Sequence, residues 1–423
     1  MNKNKPAIRF KGFSDAWEQR ELSDYLEVSN EKNRNNIYDK NDVLSVSGDY
    51  GIVNQIEFQG RSFAGASVSN YGVVHTNDVV YTKSPLNANP YGIIKTNKGK
   101  TGIVSTLYAI YHPKKNTYSN FVQNYFEQHA RMNNYMHPLV NKGAKNDMKV
   151  SSENALKGYV VFPNYDEQFA ISTFFDKLDH LITLHQRKYE KLQNVKKSML
   201  EKMFPKNGSK IPEIRFKGFT DAWEQREFNS EFIMLQNNTL SRAELTADKG
   251  DAMNVHYGDI LVKFGEVLDI ETEELPYIES EQIVSKFKSS LLQDGDIIVA
   301  DTAEDETVGK CTEMANIKGF SVLSGLHTIP LRPLKKFASG YLGYYLNSSS
   351  YHDSLIPLMQ GTKVTSISKS ALQGTYICYP DEYEEQQKIG MIFRKLDNLI
   401  TLHQREYEKL QNIKKSMLEK MFV

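Results

Sequence analysis

The sequence has little cysteine and no long apolar run. Its 423 residues include only Cys311 and Cys378, which excludes a disulfide framework and a cysteine-rich zinc site. Two reduced thiols are typical of a cytosolic protein. The first six residues lack the apolar core of a signal peptide, and no apolar stretch approaches the roughly 20 residues that cross a membrane. We therefore expect a cytoplasmic protein without a membrane span.

An excess of charge of either sign is also lacking, since 52 Lys and Arg residues balance 52 Asp and Glu residues. Affinity for nucleic acid comes largely from phosphate neutralisation, so this balance counts against a chain that binds DNA by bulk electrostatics. Either the basic residues cluster locally, or a partner supplies the rest of the positive charge.

Motifs of catalysis are lacking as well. The sequence contains no Gly-x-x-x-x-Gly-Lys-Ser/Thr phosphate loop, so ATP hydrolysis is unsupported. Residues 87–91 faintly resemble the Asn-Pro-Pro-Tyr loop of adenine methyltransferases, but the second proline and a glycine-rich S-adenosylmethionine loop are missing. The acidic cluster at Asp301 and residues 304–306 fits a solvated loop, a metal site or base reading. His185 and His403 fit packing positions or a metal pair. We predict no catalytic, cofactor-binding or metal-ligating residue.

What the sequence does contain is an internal repeat. Residues 6–22 recur at 212–228, and residues 177–204 recur at 395–422 with only three differences. The two offsets, 206 and 218, show that the intervening segment is longer in the second half. These segments have diverged, although residues 77–81 still match 295–299 and Gly143–Lys145 still matches Gly361–Lys363. One scaffold therefore carries two copies of one fold with different surfaces.

Two long helices are predicted, one from about Asp166 to Met203 and one from about Glu382 to Met421, each roughly 55–60 Å long. Near-identical apolar stripes can be buried against each other in an antiparallel coiled-coil pair; the alternative is that each helix packs on its own globular domain. The residues predicted to form the helix-pair and partner interface are Leu178, Ile182, Tyr189, Leu192, Val195, Met199, Leu396, Ile400, Tyr407, Leu410, Ile413 and Met417.

The segments between the repeats mix strand and helix signals. Strands are predicted at 78–82, 92–95, 102–105, 259–263, 296–300 and 327–331, and shorter helices at 121–136 and 340–346. We expect an α+β fold in which two mixed domains form a pseudo-twofold repeat separated by the two long antiparallel helices. The predicted boundaries are 1–165 for the first domain, 166–205 for the central helix, 206–380 for the second domain and 381–423 for the last helix.

This layout resembles the specificity subunits of type I restriction-modification enzymes over the whole chain. The resemblance rests on the two helix repeats, each preceded by Glu-Gln (Glu167-Gln168 and Glu385-Gln386), on the strand at 295–298, on the two Gly-x-Lys turns and on the segments around Trp17 and Trp223. It implies a non-catalytic subunit whose two variable domains are target-recognition domains, each reading half of a split double-stranded DNA site. The helix pair would fix the gap between the halves.

The resemblance also implies partners. Two methylating subunits would dock on the helices and motor-nuclease subunits would join them, so that S-adenosylmethionine, ATP and Mg²⁺ belong to the partners. The alternative is a coiled-coil adaptor that binds only proteins.

Candidate DNA-contacting residues lie on the loops that follow the matched strands and on the matched glycine turns: Lys83, Ser84, Asn87, Asn89, Lys142, Lys145, Thr302, Lys363 and Thr365. Glycine lets a backbone approach closely, and a neighbouring lysine can meet a phosphate. Simple solvent exposure is the alternative for each. Asp301 stands where the first half has Lys83, and members of the family often carry a basic residue there. This departure puts phosphate contact by the second loop in doubt, or indicates that the two domains read different bases.

Overall fold

The computed structural model describes residues 4–83, 85, 89–142, 148–206 and 208–423. The chain divides into two compact units, the first made of Met1–Gln186 with Arg405–Val423 and the second of Arg187–Gln404. Each predicted long helix is present, as Tyr165–Lys202 and Tyr383–Lys420, and each contributes residues to both units. The predicted four-part division by function is a different partition and stays a prediction.

The first unit contains twelve short strands and three short helices in its described part before the first long helix. The strands are β1 Glu18–Glu21, β2 Leu26–Val28, β3 Leu44–Ser47, β4 Gly51–Asn54, β5 Gly72–Val74, β6 Val79–Tyr81, β7 Ile94–Thr96, β8 Gly102–Val104, β9 Ala109–Pro113, β10 Asn141–Lys142, β11 Met148–Lys149 and β12 Tyr159–Phe162. The helices are α1 Gln55–Gln59, α2 Ser119–Phe126, α3 His129–Met136 and the long helix α4 Tyr165–Lys202.

The second unit has its own strands and helices in the same general order. The strands are β13 Glu224–Glu227, β14 Phe232–Met234, β15 Ala252–Val255, β16 Val267–Asp269, β17 Tyr277–Ile278, β18 Ile297–Ala300, β19 Thr302–Ala303, β20 Cys311–Ala315, β21 Val322–Ser324, β22 Thr328–Pro333, β23 Thr365–Ser366 and β24 Tyr376–Tyr379. The helices are α5 Phe228–Glu231, α6 Tyr257–Val262, α7 Glu281–Lys286, α8 Tyr341–Asn347, α9 Ser349–His352, α10 Lys369–Gln373 and the long helix α11 Tyr383–Lys420.

Each unit contains its own sheet, and the antiparallel part of the sheet has the same topology in both. Its strand order is β2-β9-β6-β7 in the first unit and β14-β22-β18-β20 in the second, where β16 adds a parallel fifth strand beside β20. Successive side chains of β6 enter different cores, because alternate residues of a strand point to opposite faces: Val79 and Tyr81 join the cluster with α2, and Val80 joins the cluster with the β3–β4 hairpin. In β18 the same alternation separates Ile297 and Val299 from Ile298.

A buried aspartate precedes each of these central strands and closes the same turn. Asp78 accepts the backbone N–H of His75 at 2.7 Å, and Asp296 accepts that of Gln293 at 2.8 Å. The sequence match between 77–81 and 295–299 therefore marks one structural element present twice.

The repeated segment that precedes each domain is bound to a long helix in the same way in both units. Arg9 makes a two-pronged ion pair with the buried Glu167 at 2.6 and 2.7 Å, and Arg215 does so with Glu385 at 2.7 and 2.8 Å. Each adjoining glutamine uses both ends of its amide to join the start of its helix to the preceding domain. Gln168 binds the carbonyl of Pro163 and the N–H of Tyr118, and Gln386 binds those of Pro380 and Ala338. The Glu-Gln pairs are structural.

Within each unit the two long helices run antiparallel. In the first unit Lys414 contacts Asp179 at 2.8 Å, and the rings of Phe422 and Phe175 lie 5.8 Å apart. In the second unit Lys196 contacts Asp397 at 2.7 Å, and Phe204 stacks on Phe393 at 5.9 Å. The first part of each helix also packs into the core of the domain that precedes it. Helix pairing and packing on the helix's own domain thus coexist.

One predicted strand, at residues 259–263, is wrong: residues 259–262 belong to α6, and Lys263 follows its last turn. The His256 ring accepts the N–H of Gly258 at 3.1 Å and begins the helix. Only Ile260 is fully buried in α6, while Val262 is 87% exposed, so the apolar run does not fill the alternating positions that a strand would bury. The other predicted strands and short helices are present within a few residues of their predicted bounds.

Two features are absent from the described part of the chain. No helix in this part of the chain is both long and apolar enough to span a membrane. Nor do three His, Cys, Asp or Glu side chains, among the residues that the structure describes, come together as a group that could hold a metal ion.

Candidate nucleic-acid interface

Three of the predicted contact residues come together at one edge of the second unit. Strand β19 pairs with β23, so that Thr302 lies opposite Ser366 and Ala303 lies opposite Thr365. The turn that carries Lys363 is closed by two backbone hydrogen bonds between Gln360 and Ser366, at 2.9 and 2.8 Å. Lys363 is exposed at the tip of this turn.

Glycine is required in the Lys363 turn. Gly361 has a φ of +117°, and a Cβ at this position would stand only 2.0 Å from the carbonyl oxygen of Val364. The predicted role of the glycine, a close approach of the backbone that L side chains do not allow, holds for this turn.

Two aromatic residues outside the predicted set, Tyr257 and His327, complete this edge. Asp301 accepts a hydrogen bond from the Thr302 hydroxyl at 2.8 Å and lies 3.4 Å from Nδ1 of His327. The Tyr257 ring packs edge-on against His327 at 5.2 Å. His327 has a φ of +57° and a side chain 47% exposed, so a locally unfavourable backbone presents an imidazole beside a carboxylate on the surface.

The corresponding edge of the first unit is basic. Lys83 follows β6 as Asp301 follows β18, has a φ of +56° and is partly buried. Burial lowers the pKa of Lys83 and the charge of nearby Lys32 lowers it further, while the carboxylate of Glu153 raises it in part. Because two ammonium groups act on each other here, an anion placed between them would relieve the repulsion. Lys32 was missed because it lies 51 residues before Lys83, in a loop without a motif.

The structure describes the other predicted contact residues only in part. Asn89 is partly exposed, and its carbonyl accepts the N–H of Gly92 at 3.0 Å. Lys142 lies in β10, opposite Met148, but its side chain is outside the described part of the structure. Ser84, Asn87 and Lys145 lie outside the described residues. None of these assignments is tested by the geometry, and all nine stay predictions.

The predicted interface residues on the helices fall into two groups. Leu178 and Leu396 are buried, and Leu192, Met199 and Met417 pack against a domain core. The others remain partly exposed, including Ile182, Tyr189, Ile400, Tyr407, Leu410 and Ile413, and Val195 is 36% exposed. The hydroxyls of Tyr189 and Tyr407 each accept a hydrogen bond from a glutamine one turn on, at 2.7 Å in both helices. Their role toward a partner stays a prediction.

Comparison with known proteins agrees with this architecture. The profile of the type I restriction modification DNA specificity domain matches residues 213–412. This chain is therefore similar, over its second half, to the DNA specificity domain of type I restriction-modification enzymes. Its first half repeats the segments that frame the matched region, and both halves contain the same four-stranded sheet.

Two curated relatives come from Methanocaldococcus jannaschii. The type I restriction enzyme MjaVIII specificity subunit is 23% identical over 270 residues, 61% of this chain and 60% of the relative. The putative MjaX specificity subunit is 22% identical and is matched over 95% of this chain and 92% of its own length. The crystal structure of the type I restriction-modification system S subunit from M. genitalium has a TM-score of 0.55 at 11% identity, covering 99% of both chains. That likeness shows a shared fold.

The two units differ at the residue that follows the central strand. The scaffold residues agree between the units, whereas the partly buried residue after the central strand is Lys83 in one and Asp301 in the other. No sequence motif could have assigned Lys32, Tyr257 or His327 to these surfaces, because only the sheet pairing brings them there.

Proposed function

We propose that this chain is the DNA-reading subunit of a type I restriction-modification complex, with one half of a split site read by each unit. The observation that carries the proposal is the pair of unlike surfaces at equivalent places on one repeated sheet. Lys32 and Lys83 present hydrogen-bond donors and positive charge. Asp301, Thr302 and His327 present a carboxylate acceptor together with groups that can also donate. A protein that reads two different half-sites requires this combination of a common scaffold and dissimilar edges.

The helix pair is proposed to fix the gap between the half-sites. Each long helix has 38 residues, or roughly 57 Å at 1.5 Å per residue. Modules on one face of DNA lie about 34–36 Å apart or a multiple of that distance. Because residues of each helix belong to both units, the helices are the elements that can hold such a separation.

The chemistry is proposed to reside in partners. Two methylating subunits would dock on the helices, and motor-nuclease subunits would join them. S-adenosylmethionine, ATP and Mg²⁺ would be bound by those subunits, and this chain would act in the cytoplasm without catalysis of its own. Zero net charge supports weak DNA binding by the isolated chain and tight binding by the complex, because partners would supply much of the phosphate neutralisation.

The test is a methylome. The chain is co-expressed with its cognate methylating subunit, and modified adenines are mapped by long-read sequencing. One split motif, lost when this chain is omitted, is the expected result. Replacing residues 23–162 by the corresponding domain of another specificity subunit should change one half-site and leave the other intact.

The competing function, a protein-only adaptor, predicts a different outcome. An assembled and active complex whose methylation does not depend on this chain would overturn the DNA-reading role and favour the adaptor.

A further inference from the structure

A partly buried lysine joins three elements in the first unit. Nζ of Lys414, on α11, lies 2.7 Å from Glu127 at the end of α2 and 2.8 Å from Asp179 on α4. The lysine side chain is 19% exposed and the Glu127 side chain 20%. One ammonium group thereby binds the recognition domain to both long helices.

The second unit contains the same arrangement. Nζ of Lys196, on α4, lies 2.7 Å from Glu266 and 2.7 Å from Asp397 on α11. The exposures are again low, 17% for Lys196 and 16% for Glu266. The Tyr344 hydroxyl of α8 donates to the second oxygen of Asp397 at 2.6 Å, which adds another element of the domain to the cluster.

The two glutamates are not part of the sequence repeat, unlike the lysines and aspartates that they accompany. Lys196 and Lys414 are matched at the 218-residue offset, as are Asp179 and Asp397. Glu127 and Glu266 are not matched: Glu127 follows α2, whereas Glu266 precedes β16, a strand that has no counterpart in the described part of the first unit's sheet. Each variable domain therefore supplies its carboxylate from a different place to a helix position that is constant.

Energetics favour a geometric role over a stabilising one. Desolvation offsets much of the attraction in a buried ion pair, so such pairs contribute little net stability compared with apolar packing, and their best-attested use is to fix one register. A lysine with two carboxylates from separate elements has few orientations available. Burial by itself lowers the pKa of Lys414, but the charges of Glu127 and Asp179 raise it overall, so the ammonium stays charged.

We propose that Glu127 and Glu266 are positioning residues that fix the orientation of each recognition domain on the helix pair and thereby restrict the gap length accepted between the two half-sites. The inference rests on the proposed function. Adding one base pair to the gap moves a half-site along the DNA axis and rotates it about that axis. A recognition domain held in one orientation on the helices cannot move with the displaced half-site. A domain that has lost the glutamate contact can reorient and still bind it.

The experiment uses Glu127→Gln and Glu266→Gln in the full chain, assembled with the methylating partner. Methylation rates are measured on duplexes with the native gap and with one base pair fewer or more. The relative rate on the altered gaps should rise about fivefold to tenfold, the change that a lost coupling of roughly 1–1.4 kcal/mol produces. The bases required in each half-site should not change. The control is Glu384→Gln, which breaks the exposed pair with Lys388 and should leave gap selectivity unaltered.

The outcomes separate this inference from the proposed function. If the wild-type complex shows no chain-dependent split motif, the proposed function fails. If the split motif is present but both glutamine variants keep wild-type gap selectivity, the positioning role is wrong and the function stands. Altered half-site bases would mean that the glutamates act in base reading instead.

A milder variant covers the case in which a glutamine variant does not assemble. Tyr344→Phe removes only the hydroxyl that donates to Asp397, and it should relax the gap in the same direction by a smaller factor. Unchanged gap selectivity in Tyr344→Phe would then overturn the proposal for the second unit.

Discussion

The backbone N–H of Ile8 donates to the carbonyl oxygen of Lys420 at 2.9 Å, so the segment before the first domain is bound to the end of the last helix. In the second unit the N–H of Ile214 donates to Lys202 at the same distance. There the two residues lie close in sequence, whereas in the first unit they are separated by almost the whole chain. The two units therefore close in one way, although only one of the closures is local.

Phe422 makes this long-range closure testable. It is 4% exposed in the core of the first unit and lies against Trp17, Phe121, Tyr125 and Phe175. We expect Phe422→Ala to destabilise the first unit by about 3–5 kcal/mol, because a large buried ring leaves a cavity. Hydrogen exchange read by mass spectrometry should show faster exchange in β1 and β12.

The matched control is Phe204→Ala, since Phe204 occupies the equivalent place in the second unit. That variant should accelerate exchange in β13 and β24 instead. If each variant accelerated hydrogen exchange equally in both units, the effect of each phenylalanine would not be confined to its own unit.

Removing one partner of the Arg9–Glu167 pair should destabilise the protein far more than removing one partner of an exposed pair. Glu167 is 1% exposed, and Arg9→Met would leave its carboxylate buried without a cation, at a cost of roughly 3–5 kcal/mol. Arg20→Met removes an arginine that pairs with exposed Glu18 and should leave the unfolding midpoint unchanged. Thermal unfolding followed by circular dichroism compares the two. Similar midpoints for both variants would contradict the importance of burial.

The long-range parts of this fold were predictable from the sequence only where it repeats. The two 38-residue helices and their antiparallel pairing follow from an apolar stripe written twice. The sequence does not predict that each helix contributes to both units. Periodicity shows which face of a helix is buried, but not which core it packs against. The strand predicted at residues 259–263 was wrong for a related reason. Their apolar, β-branched composition favours a strand, and the N-terminal cap at His256 that begins the helix is recognisable only in the structure.

The close contact between Gly343 and the backbone of Glu266 can be tested by substitution, and helix propensity alone would predict the opposite result. Gly343 lies inside α8, where alanine would ordinarily stabilise a helix by up to about 1 kcal/mol. Its Cβ, however, would stand 2.1 Å from the carbonyl oxygen of Glu266, so backbone would have to move. We expect Gly343→Ala to cost about 1–3 kcal/mol. Gly374→Ala, whose Cβ would have no neighbour nearer than 3.6 Å, should be neutral or slightly stabilising; denaturant unfolding ranks the pair, and the reverse order would refute the contact.

Glu313 should make the second unit less stable as the pH rises through neutrality. Burial raises the pKa of Glu313 from 4.5 to about 7, although Gly340 and Gly343 donate their N–H groups to it. Because the folded pKa is above the unfolded one, the folded unit holds the proton more tightly. This stabilisation is complete below about pH 4.5 and is lost by about pH 7, a change of roughly 3 kcal/mol.

The measurement is the unfolding free energy of wild type minus that of Glu313→Gln, at pH 5 and at pH 8. The difference should be more favourable to wild type at pH 5. Glu279→Gln, on the surface of the same unit, controls for the loss of one carboxylate elsewhere. A difference that does not change with pH would show that Glu313 does not titrate in this range.

The sequence predicts which kinds of loop and turn form the candidate DNA interface, but it does not predict all the residues that meet there. The close backbone approach at Gly361 was predictable because glycine is the residue type that allows it. Thr302 and Thr365 were predicted as polar residues of the loops, and their proximity depends on the β19–β23 pairing; their contact with DNA, like that of Lys363, stays a prediction. His327 reaches Asp301 only because β18 and β22 are neighbours in the sheet, and strand order cannot be read from local sequence.

Lys363 and Asp301 should affect DNA binding by the complex in different ways. Lys363 is exposed on a turn, as a phosphate contact would be, so Lys363→Ala should weaken binding to all sequences and reduce the salt dependence of log K by about one. Asp301 lies beside His327 and Thr302, and a carboxylate accepts from the cytosine amino group in the major groove. Asp301→Asn should therefore change the preferred base at one position of the second half-site, with discrimination shifted by roughly 1–3 kcal/mol.

The first half-site is the internal control for both variants. Binding is measured by fluorescence anisotropy at several salt concentrations on duplexes that vary one position at a time. If Asp301→Asn weakens all sequences equally, the carboxylate acts through local structure and reads no base. If Lys363→Ala changes base preference while the salt slope stays the same, the lysine contacts a base edge, and the assignment of the two side chains is reversed.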